Sequence, residues 1–193
     1  RRGERSDGGH RRSPLVDRRK ALRLIAMAGP AAAAMAQSPA PQKKSDPRGK
    51  MWNDLYSGPE PIVNPFPNRY LAKVLEGRKP GRALDIGMGQ GRNTVFMAAQ
   101  GWDVTGVDIS EKGVELARKQ AQGRNVKINA VVSDFAAFDL GKSQWDLISE
   151  MYMHGMVIVN SKRVVESLRP GGMLVVEGFH QDSKLKGFNG RDL

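Results

Sequence analysis

Short apolar runs alternate with amphipathic stretches from about residue 69 to residue 177. Ala83-Leu84-Asp85-Ile86 reads as a strand. It is followed by a turn with glycines at alternate positions, Gly87, Gly89 and Gly91, and by a helix from about Arg92 to Gln100 whose apolar positions are Val95, Phe96, Ala98 and Ala99. Gly101 stands where a left-handed C-cap belongs. Asp103 to Asp108 predicts a second strand, and Ser110 an N-cap for a helix that runs to about Ala121 and is closed by Gly123. Lys127 to Val132 predicts a third strand and Trp145 to Glu150 a fourth. Val164 to Leu168 lies on a helix, Pro170-Gly171-Gly172 makes a turn, and Met173 to Glu177 is a fifth strand. Upstream, Asn68 caps a helix from Arg69 to Glu76 with Leu71, Val74 and Leu75 facing inward. Pro61 to Pro67 is extended, and Trp52 to Tyr56 forms one helical turn ended by Gly58-Pro59. Strands alternating with helices of this size predict parallel βαβ units, an α/β doubly wound sheet with five parallel strands.

Charge changes the picture only at one end. The 193 residues carry a net charge of +11, which invites a nucleic-acid reading. Residues 1–50 hold 13 basic and 4 acidic side chains, however, against 18 and 16 in the remainder. The globular part is nearly neutral, whereas a nucleic-acid-binding domain carries its own basic face, so nucleic acid is an unfavoured partner. The chain has no cysteine, which excludes disulfides, cysteine-held metal sites and a cysteine nucleophile. His10, His154 and His180 are too scattered to suggest a metal site.

The basic end has its own organisation. Arg18-Arg19-Lys20, a mildly apolar run from Leu24 to Met35 and the small-residue sequence Ala34-Met35-Ala36 read as a signal peptide over residues 1–36. The paired arginines point to twin-arginine export, hence to an exported or periplasmic location, with a cytoplasmic one as the alternative. Its membrane involvement is confined to this segment, because the apolar run is too short to span a bilayer. Residues 37–50, with Ser38-Pro39-Ala40-Pro41 and Lys43-Lys44, read as a disordered linker, and residues 51–193 as the folded domain.

The glycine turn carries the candidate chemistry. An acidic residue two positions before Gly87 serves no turn purpose, and the helix that follows directs free N–H groups back at the turn, where an anionic group fits. A dinucleotide fold wants G-x-G-x-x-G, but here the third glycine arrives one residue early, at Gly91, and Arg92 takes its place. Acidic residues also close the next two strands: Asp108 after the second and Asp134 after the third. Ligands of open α/β sheets sit beyond such strand ends.

Leu84-Asp85-Ile86-Gly87-x-Gly89-x-Gly91 resembles motif I of class I S-adenosylmethionine-dependent methyltransferases. The longer run through Gly91-Arg92-Asn93-Thr94 and Gly101-Trp102-Asp103-Val104 is similar to their small-molecule branch of tellurite- and thiopurine-type enzymes. The resemblance implies a Rossmann-like methyltransferase sheet and S-adenosyl-L-methionine as cofactor. It implies cofactor contacts from Asp85, Gly87, Gly89, Gly91, Asp108, Ile109, Asp134 and Phe135. Within that set Asp85 accepts from the ammonium, directly or through water, Asp108 takes the ribose hydroxyls, and Asp134 takes the adenine amino group with the Phe135 N–H beside the ring. It also implies that the segment before the glycine turn covers the site, with Trp52, Tyr56 and Tyr70 as residues that face it or simply pack. The resembling fold has two further strands, which the residues after Glu177 do not supply, so the chain is expected to be C-terminally incomplete.

Methyl transfer is an in-line displacement that asks chiefly for positioning, and a base is needed only where the nucleophile holds its proton. The sequence therefore marks no catalytic residue. Ile148-Ser149-Glu150-Met151-Tyr152 lacks the Asn/Asp-Pro-Pro-aromatic run of amino-methylating enzymes, and Glu150 and His154 read as structural ahead of catalytic. The expected acceptor is a small molecule. The alternatives are a non-catalytic cofactor-binding partner module and an NAD-dependent dehydrogenase.

Overall fold

The computed structural model describes residues 46–58, 66–153 and 155–179. The signal-like segment 1–36, most of the linker, the extended stretch from Pro61 and His154 lie outside the described residues, Phe66 and Pro67 excepted.

Five parallel strands form one sheet in the order β3-β2-β1-β4-β5: β1 Arg82–Ile86, β2 Asp103–Asp108, β3 Asn129–Val132, β4 Trp145–Met151 and β5 Leu168–Glu177. The chain winds outward from β1 through β2 to β3, then returns to the other side of β1 for β4 and β5. The carboxyl ends of β1 and β4 therefore flank the point at which the winding reverses. Alternate residues of β1 face opposite layers. Ala83 packs with Leu71, Met97, Val104, Leu147 and Val175, while Leu84 and Ile86 pack with Val107, Phe135, Trp145, Ile148 and Val164. Burial on both faces is what makes these strands read as near-continuous apolar runs.

Six helices connect and cover the sheet: α1 Pro47–Tyr56, α2 Arg69–Leu75, α3 Arg92–Ala99, α4 Glu111–Gly123, α5 Met156–Val159 and α6 Ser161–Ser167. The expected caps are present. Asn68 Oδ1 accepts from Leu71 N–H at 3.0 Å, Ser110 Oγ accepts from Gly113 N–H at 2.9 Å, and Gly101 turns left-handed after α3.

Four boundaries differ from the sequence expectation, each for a local reason. The expected linker ends inside a helix, because α1 begins at Pro47, where Asp46 caps it and proline suits the first turn. Gly123 lies within α4. The left-handed residue is Asn125, and the Val126 and Asn125 N–H groups bond back to Ala121 and Gln122 carbonyls at 3.0 Å each, a Schellman end. β3 starts at Asn129 instead of Lys127. β5 starts at Leu168, which pairs with Trp145 before the register shifts to Met173 opposite Leu147, so the Pro170-Gly171-Gly172 turn is absorbed as an irregularity within the strand.

Ser110 joins two helices, because its hydroxyl also donates to Asn53 Oδ1 on α1 at 2.7 Å, and that oxygen accepts from Lys112 N–H at 3.0 Å. Ser110→Ala is expected to cost about 1–2 kcal/mol in urea unfolding, and Asn53→Ala about 1 kcal/mol. The double variant should lose less than the sum, because the two side chains share one bond. Strict additivity would show that α1 and the α4 cap are independent.

Candidate functional site: the glycine turn and the strand ends

All three glycines of the turn are left-handed, with φ of 69° at Gly87, 52° at Gly89 and 87° at Gly91, a region that only glycine enters without strain. The Gly87 and Met88 N–H groups both donate to the Val107 carbonyl, at 2.8 and 3.1 Å, which ties the turn to β2. The three positions do different work. A side chain at Gly87 would run into Met153 Sδ, and one at Gly89 into the Tyr56 hydroxyl. At Gly91 a Cβ would lie 2.7 Å from the Ala117 Cβ of α4, so this glycine lets two helices approach and its missing side chain faces packing rather than open space.

Asp85 is 1% exposed. Its two oxygens accept from the Thr94 hydroxyl of α3 at 2.6 Å and from the Ser149 hydroxyl of β4 at 2.8 Å. Burial pushes its pKa up to about 6, opposed by those two hydroxyl donors and by the nearby Arg92 cation. The sequence expectation had this carboxylate accept from a ligand ammonium, directly or through water. In the structure it is enclosed, both oxygens are occupied by hydroxyls, and it joins β1, α3 and β4.

Asp108 is half-buried at the end of β2 and accepts the Gly89 N–H and the Ser110 N–H, each at 2.8 Å. Burial raises its pKa, with the backbone N–H donors opposing. It therefore braces the glycine turn against the start of α4. Each carboxylate oxygen accepts more than one hydrogen bond, so acceptor capacity remains. Asp134, after β3, accepts from Ala136 N–H at 3.0 Å and from the Arg48 guanidinium of α1 at 2.6 Å. The Phe135 side chain is buried in the core, so only its backbone is available at this end of the sheet.

The structure brings these positions together beneath α1, part of the segment expected to cover the site, which is a helix from Pro47 and not the single turn expected from Trp52 to Tyr56. Arg48 holds Asp134, a Cβ at Gly49 would lie 3.0 Å from the Ile109 carbonyl oxygen, Asn53 holds Ser110, and Tyr56 lies against Gly89 and Gly113. Contacts thus run from the end of β3 across β2 to the turn after β1. Asp46-Pro47 was the signal for it: a capping side chain followed by a residue suited to the first turn. Of the three aromatics considered for this cover, Tyr56 faces the turn, Trp52 stacks on Tyr56 with ring centroids 6.0 Å apart, and Tyr70 is exposed. Glu150 is buried at the end of β4, beside the site. Among the described residues no cluster of acidic or histidine side chains is placed to hold a metal.

Asp85 also supplies a pH test. A carboxyl protonated more readily in the folded chain than in the unfolded one stabilises the fold fully below about pH 4, and that contribution is lost as pH rises through about 6. Asp85→Asn cannot ionise, and its stability relative to the parent should therefore rise by ~2–3 kcal/mol between pH 4 and pH 8 in urea unfolding. A parent–variant difference independent of pH would show that Asp85 does not titrate there.

Comparison with known proteins places this geometry. Residues 83–172 match the model of a methyltransferase domain. A ubiquinone biosynthesis O-methyltransferase from Coxiella burnetii is 26% identical over 147 residues, which covers 72% of this chain and 58% of the relative. The chain thus spans less than two thirds of the length of that curated relative. Among solved structures, the plantazolicin methyltransferase BpumL in complex with SAH superposes with a TM-score of 0.56 at 24% identity, covering 76% of this chain and 59% of its own. A SAM-dependent methyltransferase from Thiobacillus denitrificans in complex with S-adenosyl-L-homocysteine gives 0.54 at 24%, covering 66% and 54%. These likenesses show the fold: an α/β, Rossmann-like sheet of five parallel strands.

Proposed function

We propose that this chain is an S-adenosylmethionine-dependent methyltransferase that acts on a small-molecule acceptor, through a hydroxyl oxygen. The observation that carries it is the Asp108 carboxylate, half-buried at the end of β2 and bonded to Gly89 N–H of the turn, so that a carboxylate and the glycine cradle form one unit. The matched methyltransferase domain spans this unit, and two structural neighbours of the same fold are described as complexes with SAH or S-adenosyl-L-homocysteine. The activity of the Coxiella relative, a ubiquinone biosynthesis O-methyltransferase, supports oxygen as the acceptor atom and a small acceptor. The finer resemblance to tellurite- and thiopurine-type enzymes rests on Gly91-Arg92-Asn93-Thr94 and Gly101-Trp102-Asp103-Val104.

The residues present fit S-adenosylmethionine. The space that a Cβ would take at Gly87 and Gly89 is filled by the Met153 and Tyr56 side chains, whose place a bound group would take. Asp108 has acceptor capacity for the ribose hydroxyls, and Asp134 for the adenine amino group where Arg48 now sits. Asp85 shapes the turn from behind, since its oxygens already hold Thr94 and Ser149. When bound, this group supplies an electrophilic methyl on a sulfonium. The chain's own part is to hold it still, to exclude water with α1, and to present the acceptor in line. The dehydrogenase alternative loses ground on packing. Dinucleotide folds use their third glycine for close helix–strand packing, whereas Gly91, one residue early, meets Ala117 of helix α4.

Asp108→Asn should weaken S-adenosylmethionine binding in calorimetry by ~1.5–3 kcal/mol, the scale of a hydrogen bond to a charged group. The fold should survive, because the amide keeps an oxygen for one of the two N–H donors. Unchanged affinity would remove Asp108 from the site, and no binding by the parent would remove the proposed function.

A further inference from the structure

The ends of β4 and β5 carry a second constellation. Tyr152, the first residue after β4, has φ of 65°, a left-handed conformation that bulky side chains rarely adopt. Its backbone N–H donates to the Glu177 carbonyl at 2.7 Å, and its hydroxyl donates to Glu177 Oε1 in a short hydrogen bond. The Asn68 side chain lies against the same hydroxyl, and the Asn68 N–H donates to Asn93 Oδ1 at 2.8 Å, next to Arg92. The Tyr152 ring packs on Phe179 with centroids 4.7 Å apart. Burial and the Glu177 carboxylate push the phenol up to about 12, so it stays protonated and remains a donor.

The strained backbone fixes the phenol, and the phenol fixes one carboxylate oxygen. The other oxygen, Oε2 of half-buried Glu177, has no hydrogen bond or ion pair with any described residue. This pair lies on the opposite side of β1 from Asp108 and Asp134, because the sheet order is β3-β2-β1-β4-β5. The two sides share a neighbour in Arg92, whose charge acts on Asp85, Tyr56 and Tyr152 alike. Met153, the residue after Tyr152, lies over Gly87.

We propose that Glu177, oriented by Tyr152, is the proton acceptor for the acceptor hydroxyl bound at the ends of β4 and β5, with phenols as probes of that role. This rests on the methyltransferase reading and adds to it a catalytic group. In the step, the acceptor O–H proton passes to Glu177 Oε2 while the oxygen lone pair forms the O–CH3 bond. The C–S bond breaks, and its electron pair stays on sulfur, which loses its positive charge. Tyr152 is a positioning residue that acts through Glu177.

The test uses the full chain and 4-nitrophenol, whose absorbance reports its own ionisation, in the presence of S-adenosylhomocysteine. Removing a carboxylate beside a phenol lowers the phenol's pKa, because a neighbouring negative charge disfavours the phenolate. Glu177→Gln should therefore move the titration midpoint of the bound dye down by about one pH unit or more, and Tyr152→Phe by less. With S-adenosylmethionine in place, transfer to unsubstituted phenol, which keeps its proton at neutral pH, should fall ~10²–10⁴-fold in kcat for Glu177→Gln, with S-adenosylhomocysteine affinity unchanged. Thermal melting of each variant separates this from misfolding, and the near-isosteric Gln is chosen to preserve the fold. An identical midpoint in parent and Glu177→Gln overturns the proposal. So does S-adenosylhomocysteine binding without any dye binding, which leaves the methyltransferase reading standing. Failure of the parent to bind S-adenosylhomocysteine brings down both.

Discussion

The buried carboxylate of Asp85 is the constraint on which the glycine turn depends. A lone ionisable group in a core is costly unless every oxygen is bonded. The two hydroxyls that satisfy it come from different elements, Thr94 on α3 and Ser149 on β4. The central strand, the strand beyond it and the helix that leaves the turn are therefore held in one arrangement by a single side chain. A residue that reads as a ligand contact is also the reason that the turn has a fixed shape.

The remaining acidic strand ends are organised from above. Asp108 is held by backbone N–H groups of the turn and of the start of α4, and Asp134 by a guanidinium of α1. One short helix thus touches three strand ends, through Arg48, Asn53 and Tyr56. The Arg48 pair is largely exposed, and exposed pairs contribute little to stability. The cover is therefore fixed in place more by geometry than by strong bonds.

The strands were legible because parallel strands buried on both faces read as apolar runs, and the caps because Asn68, Ser110 and Gly101 each make a local bond or turn that residue type favours. What escaped the sequence depends on distance along the chain. The start of α1 carried Asp46-Pro47, but a lysine- and proline-bearing context hid it, and its anchors lie far downstream. Leu168 enters β5 because it meets Trp145 across the sheet, a pairing that overrides the Pro170-Gly171-Gly172 turn signal. Asn125 takes the left-handed position that Gly123 seemed suited for, because the α4 ladder runs two residues further. Asp85 stood out as a residue, but nothing near it in sequence shows that Ser149 will stand beside it. Tyr152 and Glu177 meet only because β4 and β5 are parallel and in register there.

The reach of Arg48 to Asp134, 86 residues away, has a consequence for the order of assembly. Every anchor of α1 is an end product of the sheet: the turn after β1, the cap of α4, and the residue that follows β3. Contacts of such long sequence separation form late, because loop closure must come before any reward. The first helix of the described chain thus docks only after β1 to β3 and α4 are in place. Its amides would gain protection against exchange only after those of β1 to β3. The first of the described helices to be synthesised waits, unattached, until the strands it covers have been made and paired.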